Sequence, residues 1–377
     1  VRGNVIERVE VSLNAPAGAT VIDLGDLVLL PGLIDTHTHI LLQPGYQDLN
    51  PILYKSIPYR TVEAVNAARK TLEAGFTTIR DVDSEGADWA DVAVRDGIDD
   101  GLIPGPRMQV ATRALSITGG YMNQVGLAPQ VDQAVPQYGE LVDSPEEIVH
   151  EIRLESKYGT DWIKIYATGT TRHLDPKNME PLAQFGYEDI KLAVDEARRM
   201  RKPVAAHAYG GQAATDAVRA GVRSIEHGFL LDDDTFALMK DLGTFWVPTL
   251  SVYIPDGPRS EWSERERLIV DAHRDAFGRA VKAGVKIAFG TDAGAIPHGA
   301  NAGEFDLMVD YGMKPADAVR SATTMAAELM DLGDLIGSIE EGKLADIIAV
   351  PGNPIEDVRV LHDVRFVMKD GVVVKVD

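Results

Sequence analysis

The chain has 377 residues, 45% of them hydrophobic and 25% charged, with a formal net charge of -21, a pI near 4.8 and no cysteine. That composition is ordinary for a globular protein, and the length admits one barrel-sized domain of roughly 250 residues plus a small accessory unit. The acidic balance argues against nucleic acid and anionic membrane partners, and the missing cysteines exclude disulfides, thiolate metal sites and a cysteine nucleophile.

In chain order, residues 1–30 alternate as short strands and contain no apolar stretch of a signal peptide. The chain opens at Val1 in what reads as the middle of a strand. A cytoplasmic location is therefore the expectation, with a secreted or periplasmic one open if a signal has been trimmed. No apolar run reaches the roughly 18 residues of a membrane span. From residue 28 onward one local pattern recurs: a helical stretch, a small residue and Gly, then a short β-branched run. Gly75, Gly159, Gly221, Gly243 and Gly284 stand where a helix ends in a left-handed residue, so each marks a helix-to-strand junction. The strands expected are 28–35, 76–81, 106–112, 162–166, 203–207, 222–227, 245–250 and 285–292. Eight strands alternating with helices predict an α/β fold, a (β/α)8 TIM barrel, over 31–335. Residues 336–377 return to short strands with turns at Pro351-Gly352-Asn353 and Asp370-Gly371. Together with 1–30 they are expected to form one small β-sandwich built from both chain termini.

The chemistry lies at strand ends. His37 and His39 close the first barrel strand two residues apart, hence on one face. Taken alone, such a pair is as readily structural. His207 closes the fifth strand, His227 the sixth and Asp292 the eighth; singly each also reads as a core histidine or a capping aspartate. Jointly they bring imidazole and carboxylate donors, the ligands of a zinc-type ion, to the rim where barrel enzymes keep their sites. Of the other histidines, His150 and His273 sit in helical stretches, His362 in the terminal unit and His173 after strand four; three of these four are expected at the surface. Lys164 is unusual, because a lysine in an apolar strand needs its charge paired or removed. Two readings stay open: an ion pair with Asp81 or Asp83, or reaction of a low-pKa amine with carbon dioxide to give a carbamate that bridges two metals.

The set His37, His39, Lys164, His207, His227 and Asp292 resembles the binuclear metal branch of the amidohydrolase superfamily. Leu30-Pro31-Gly32-Leu33-Ile34-Asp35, Leu72 through Thr78, Gly290-Thr291-Asp292-Ala293-Gly294, Pro297-His298-Gly299 and Gly342-Lys343-Leu344-Ala345-Asp346 are similar to Xaa-Pro dipeptidase and imidazolonepropionase-related hydrolases. The resemblance implies two divalent ions, zinc by expectation, with His37, His39 and Asp292 on the first and His207 and His227 on the second. A carbamate on Lys164 would bridge them. A metal-bridging hydroxide would attack an amide or peptide bond, with Asp292 as general base and then acid. Such a centre keeps about one net positive charge, which suits a small-molecule substrate bearing a carboxylate: a dipeptide or an N-acyl amino acid. Arg80 and Arg172 are candidates to orient that carboxylate, each equally readable as a salt-bridged arginine. Tyr121, Tyr209, Tyr253 and His298 are candidate hydrogen-bond donors. The activity implied is that of a dipeptidase or carboxypeptidase-like enzyme, with Xaa-Pro dipeptides among the candidate substrates. Because the chain has Gly119-Gly120-Tyr121 where the relatives resemble Gly-Gly-His, and His207-Ala208-Tyr209 where they resemble His-Ala-His, a preference for C-terminal proline rests on the resemblance alone. Alternatives are an amidase on N-acyl or aryl-amide amino acids (ochratoxin-type), a mononuclear deaminase or cyclic-amide hydrolase, and a non-catalytic scaffold. A homo-oligomer is expected.

Overall fold

The computed structural model describes residues 1–11, 15–45, 51–122, 128–132 and 136–377. Strand β1 (Val28–Pro31) belongs to a terminal sheet, and β2 (Leu33–Thr38) is the first barrel strand. The single strand expected over 28–35 is thus two, divided at Gly32. The cause is steric: a β-carbon at Gly32 would stand 2.0 Å from Thr77 Oγ1, so only glycine lets the chain pass from one sheet into the other.

The barrel continues through β3 (Phe76–Asp81), β4 (Arg107–Val110), β7 (Ile163–Tyr166), β8 (Val204–Gly210), β9 (Ser224–Leu230), β10 (Phe245–Val247) and β11 (Lys286–Ile287). Two short strands, β5 (Leu115–Ser116) and β6 (Glu140–Leu141), extend its edge beside β7. Every strand pair in the barrel is parallel. Hydrogen bonds from Trp162 N to Val110 O (3.1 Å) and from Asp292 N to His37 O (2.8 Å) tie the two barrel segments together and close the ring. The five junction glycines all have positive φ, between 73° and 101° for Gly75, Gly159, Gly221, Gly243 and Gly284, as the sequence pattern requires.

Both termini build one antiparallel sheet in the order β1, β12 (Ile347–Val350), β13 (Phe366–Lys369) and β14 (Val372–Val376). The N-terminal stretch covers it through Ile6, Leu24 and Leu27, which pack on Ala345, Ala349, Phe366 and Met368. Asp370 and Gly371, both at positive φ, turn β13 into β14. No helix among the described residues is long and apolar enough to cross a membrane.

Candidate metal centre

All the candidate ligands line one cavity, but not all at strand ends: Lys164 is the second residue of β7, and β8 and β9 run three residues past His207 and His227, so neither histidine closes its strand as expected. His37 and His39 point from β2 to one side, as period-2 geometry requires. His227 and Asp292 adopt φ of 71° and 64°, a left-handed backbone that costs a residue with a β-carbon about 1–3 kcal/mol and clusters at functional sites. The donor atoms are close. His37 Nε2 lies 3.3 Å from His39 Nε2, and Asp292 Oδ1 is 3.2 Å from His39 Nε2 and 3.8 Å from His37 Nε2. The His207 and His227 rings are 4.5 Å apart, and the His37 and His227 rings 4.9 Å.

Protonation matches a cation-binding set. Burial, reinforced by the charge of Lys164, pushes His37 down to about 4 and His207 far below the ordinary histidine range; burial and the neighbouring histidines do the same to His227. These rings are neutral at pH 7 and carry a free lone pair. His39 is the exception: burial would lower it, but the hydrogen bond and charge of Asp292 overcome this and raise it to about 10. Asp292 is correspondingly held well below the carboxylate range, against the opposing effect of burial. The two groups share a proton at a place where a divalent ion could replace it. His207 Nε2 is buried with no hydrogen-bond partner among the described residues, a condition that costs about 1–3 kcal/mol unless a ligand takes the lone pair. A donor set of three neutral imidazoles, a fourth whose proton an ion would displace, and one carboxylate fits zinc-type ions.

His37, His227 and the loop that carries Asp292 are braced from behind. Glu226 Oε2 meets His37 Nδ1 at 2.7 Å, which leaves Nε2 to face the centre. Thr249 Oγ1 meets His227 Nδ1 at 2.8 Å. Fully buried Asp35 accepts from His37 N, Thr291 N, Thr291 Oγ1 and Asn301 Nδ2, so it locks β2 to the loop that carries Asp292. Sequence reasoning passed over these residues. A glutamate inside the buried strand Ser224–Leu230 should raise the same question as Lys164 does, and that was the available signal.

Lys164 is 1% exposed and lines the cavity. Its Nζ lies 5.3 Å from the Tyr166 ring, and among the described residues it has no ion-pair partner. The pairing with Asp81 or Asp83 is absent: Asp83 Oδ2 accepts from Tyr166 OH at 3.1 Å, and Asp81 Oδ2 from Ile40 N at 2.6 Å. Burial lowers the lysine below its usual range, despite the opposing pull of Glu226 and Asp83.

A cavity of about 620 Å³ opens over the centre. Tyr121, Tyr209, Tyr253 and Arg172 line it, and Tyr121 stacks on Tyr166 with ring centroids 4.3 Å apart. Arg80 and His298 lie elsewhere. Arg80 is fully buried inside the barrel, donating to Glu226 Oε1 (2.8 Å), Ser224 Oγ (3.0 Å) and Thr36 O (2.5 Å), so it has no reach to a substrate. His298 Nε2 bonds Leu42 O at 2.9 Å and stands one residue behind the cavity wall. His150, His173 and His362 are at or near the surface, whereas His273 is buried against Phe229, Trp246 and Tyr253.

The likenesses to known proteins run along the whole arrangement. Ochratoxinase of Aspergillus niger is 31% identical over 364 residues, covering 90% of this chain and 73% of that protein. A crystal structure of a Xaa-Pro dipeptidase with bound methionine in the active site superposes with a TM-score of 0.87 at 35% identity, covering 99% of this chain and 93% of the other. A prolidase complexed with N-methylphosphonate-L-proline gives 0.86 at 31% identity, covering 100% and 94%. The amidohydrolase family model matches residues 28–376, from the first strand of the terminal sheet through the barrel and back to its last strand. The chain belongs to the amidohydrolase family, hydrolytic enzymes that act on C–N bonds.

Proposed function

We propose that this chain hydrolyses the amide bond of a small substrate ending in a free carboxylate, as a dipeptidase or carboxypeptidase-like enzyme. The observation that carries the reading is Lys164, a buried lysine facing the cavity with no ion-pair partner among the described residues. A mononuclear deaminase has no use for that residue. A binuclear hydrolase does: the uncharged amine adds to carbon dioxide, a nitrogen–carbon bond forms, one proton leaves, and the product is an anion able to bridge two ions.

In this reading His37, His39 and Asp292 would hold one ion and His207 and His227 a second, with carboxylated Lys164 available to both; zinc suits the ligand set. When bound, the ions would lower the pKa of water toward about 7 and polarise the amide carbonyl. Asp292, ionised and adjacent to His39, accepts the proton of the attacking water and delivers it to the leaving amine. Arg172 receives the substrate carboxylate, while Tyr121, Tyr209 and Tyr253 shape the wall and offer hydroxyls to the polar groups of the substrate. The ochratoxinase likeness and the large cavity also support a second reading, an amidase on N-acyl amino acids. A homo-oligomer remains part of the proposal, to be checked by light scattering.

A screen of dipeptides and N-acyl amino acids with varied C-terminal residues tests the function. Release of the C-terminal amino acid is the expected result. Failure to cleave every member would refute it.

A further inference from the structure

Besides Asp292, two acidic side chains line the cavity: Glu266, exposed and accepting from Ser263 N at 2.7 Å as a helix cap, and Glu85, to which the chemistry above gives no part. Glu85 follows β3 with φ of 52°, a conformation in which a residue with a β-carbon is uncommon. Both its main-chain groups are fixed: its N–H donates to Asp83 Oδ1 at 2.9 Å, and its carbonyl accepts from Arg60 Nη2 at 2.7 Å. The carboxylate is thereby directed into the cavity, where its side chain is 13% exposed. Its Oε1 lies 3.4 Å from His39 Nδ1, the nitrogen that also faces Asp83 O, and Asp292, Arg60 and Lys164 are further charges that bear on it. Arg172 lines the same cavity, and Tyr121 and Tyr138 lie within the influence of both charges. The space therefore offers an anion beside the first pair of ligands and a cation near its mouth.

A dipeptide is a zwitterion whose ammonium is two bonds from the scissile carbonyl carbon and whose carboxylate lies beyond the amide. We propose that Glu85 is the ammonium subsite of this enzyme and that the preferred substrates are unblocked dipeptides rather than N-acyl amino acids. The inference rests on reading the cavity as an amide-hydrolysing site. An incoming ammonium gives Glu85 a charge-assisted hydrogen bond. An N-acylated substrate offers no cation, and the carboxylate keeps only its contact with His39 and gains no charge-assisted bond from the substrate. One charged contact of that kind corresponds to a preference of about 10- to 100-fold in kcat/KM.

The test compares one dipeptide with its N-acetylated form on the metal-loaded protein, in wild type and in Glu85→Gln, with metal content measured for both. The expected result is a wild-type preference for the free dipeptide that shrinks about tenfold or more in Glu85→Gln, through KM for the free dipeptide, at wild-type metal content. Equal treatment of both substrates by the wild type overturns the proposal, and that arm needs no variant. So does a Glu85→Gln protein that loses both activities by one factor together with metal, which would make Glu85 a support for His39. Cleavage of the acetylated form alone removes the ammonium subsite but leaves an amide hydrolase. Cleavage of neither removes the hydrolase reading and the subsite with it.

Discussion

Replacing Glu226 by Leu removes two acceptors at once. Oε1 receives Arg80 Nη2 at 2.8 Å and Oε2 meets His37 Nδ1 at 2.7 Å, with Arg80 and Glu226 fully buried and His37 1% exposed. Despite burial, Arg80 and His37 hold the Glu226 carboxyl down to about 2, so the group is an anion at working pH. Its loss strands a guanidinium whose remaining contacts among the described residues are Ser224 Oγ, Thr36 O and the face of Trp162, and breaking a buried pair in this way costs about 3–5 kcal/mol. Removing the brace behind His37 is expected to weaken metal binding about 10- to 100-fold. The double variant Arg80→Met/Glu226→Leu separates the two effects, because an apolar pair of similar volume restores stability without bracing His37. Denaturant unfolding of the metal-free proteins reads the first quantity, and competition with a chromophoric zinc chelator reads the second. The reasoning fails if metal affinity is unaltered in the single variant, or if it recovers with stability in the double variant.

Lys164→Ala should lose activity and recover part of it with added short carboxylic acids; full activity without them would remove the carbamate. Asp292→Asn is expected to keep the second ion while turnover falls by about 10²–10⁴-fold, and an active variant would refute its role as proton carrier. Gly290→Ala places a β-carbon 2.3 Å from Val247 Cγ1 and 2.9 Å from His37 Cβ, which should destabilise the fold by about 1–3 kcal/mol and impair metal uptake. Unchanged melting and metal content would contradict that packing. Stripping the metal should lower the melting temperature in proportion to RT ln(1 + [metal]/Kd), so wild type should lose more than the Glu226→Leu variant under matched conditions.

Much of the barrel was legible because its punctuation is local. A left-handed helix end demands glycine whatever lies around it, and the five junction glycines announce five strands. Positions in or after strands that run in one direction likewise bring His37, His39, His207, His227 and Asp292 to one cavity, although β8 and β9 extend three residues past their histidines. The break at Gly32 escaped sequence reasoning because it depends on Thr77, a neighbour brought in by tertiary packing. Arg80 was misplaced for the same reason. Its partner Glu226 is 146 residues away, and periodicity says nothing of which interior charge meets which. His298 illustrates a loop residue whose direction is set by one backbone contact, at Leu42 O. The bracing residues Asp35, Glu226 and Thr249 act through other side chains, so their roles emerge only with distances.

The most direct test of the account is the metal-to-protein ratio of zinc-grown wild type set beside Lys164→Ala. The account predicts close to two ions per chain in the wild type and a clear loss in the variant. A single tightly bound ion in the wild type, untouched by removal of Lys164, would contradict it.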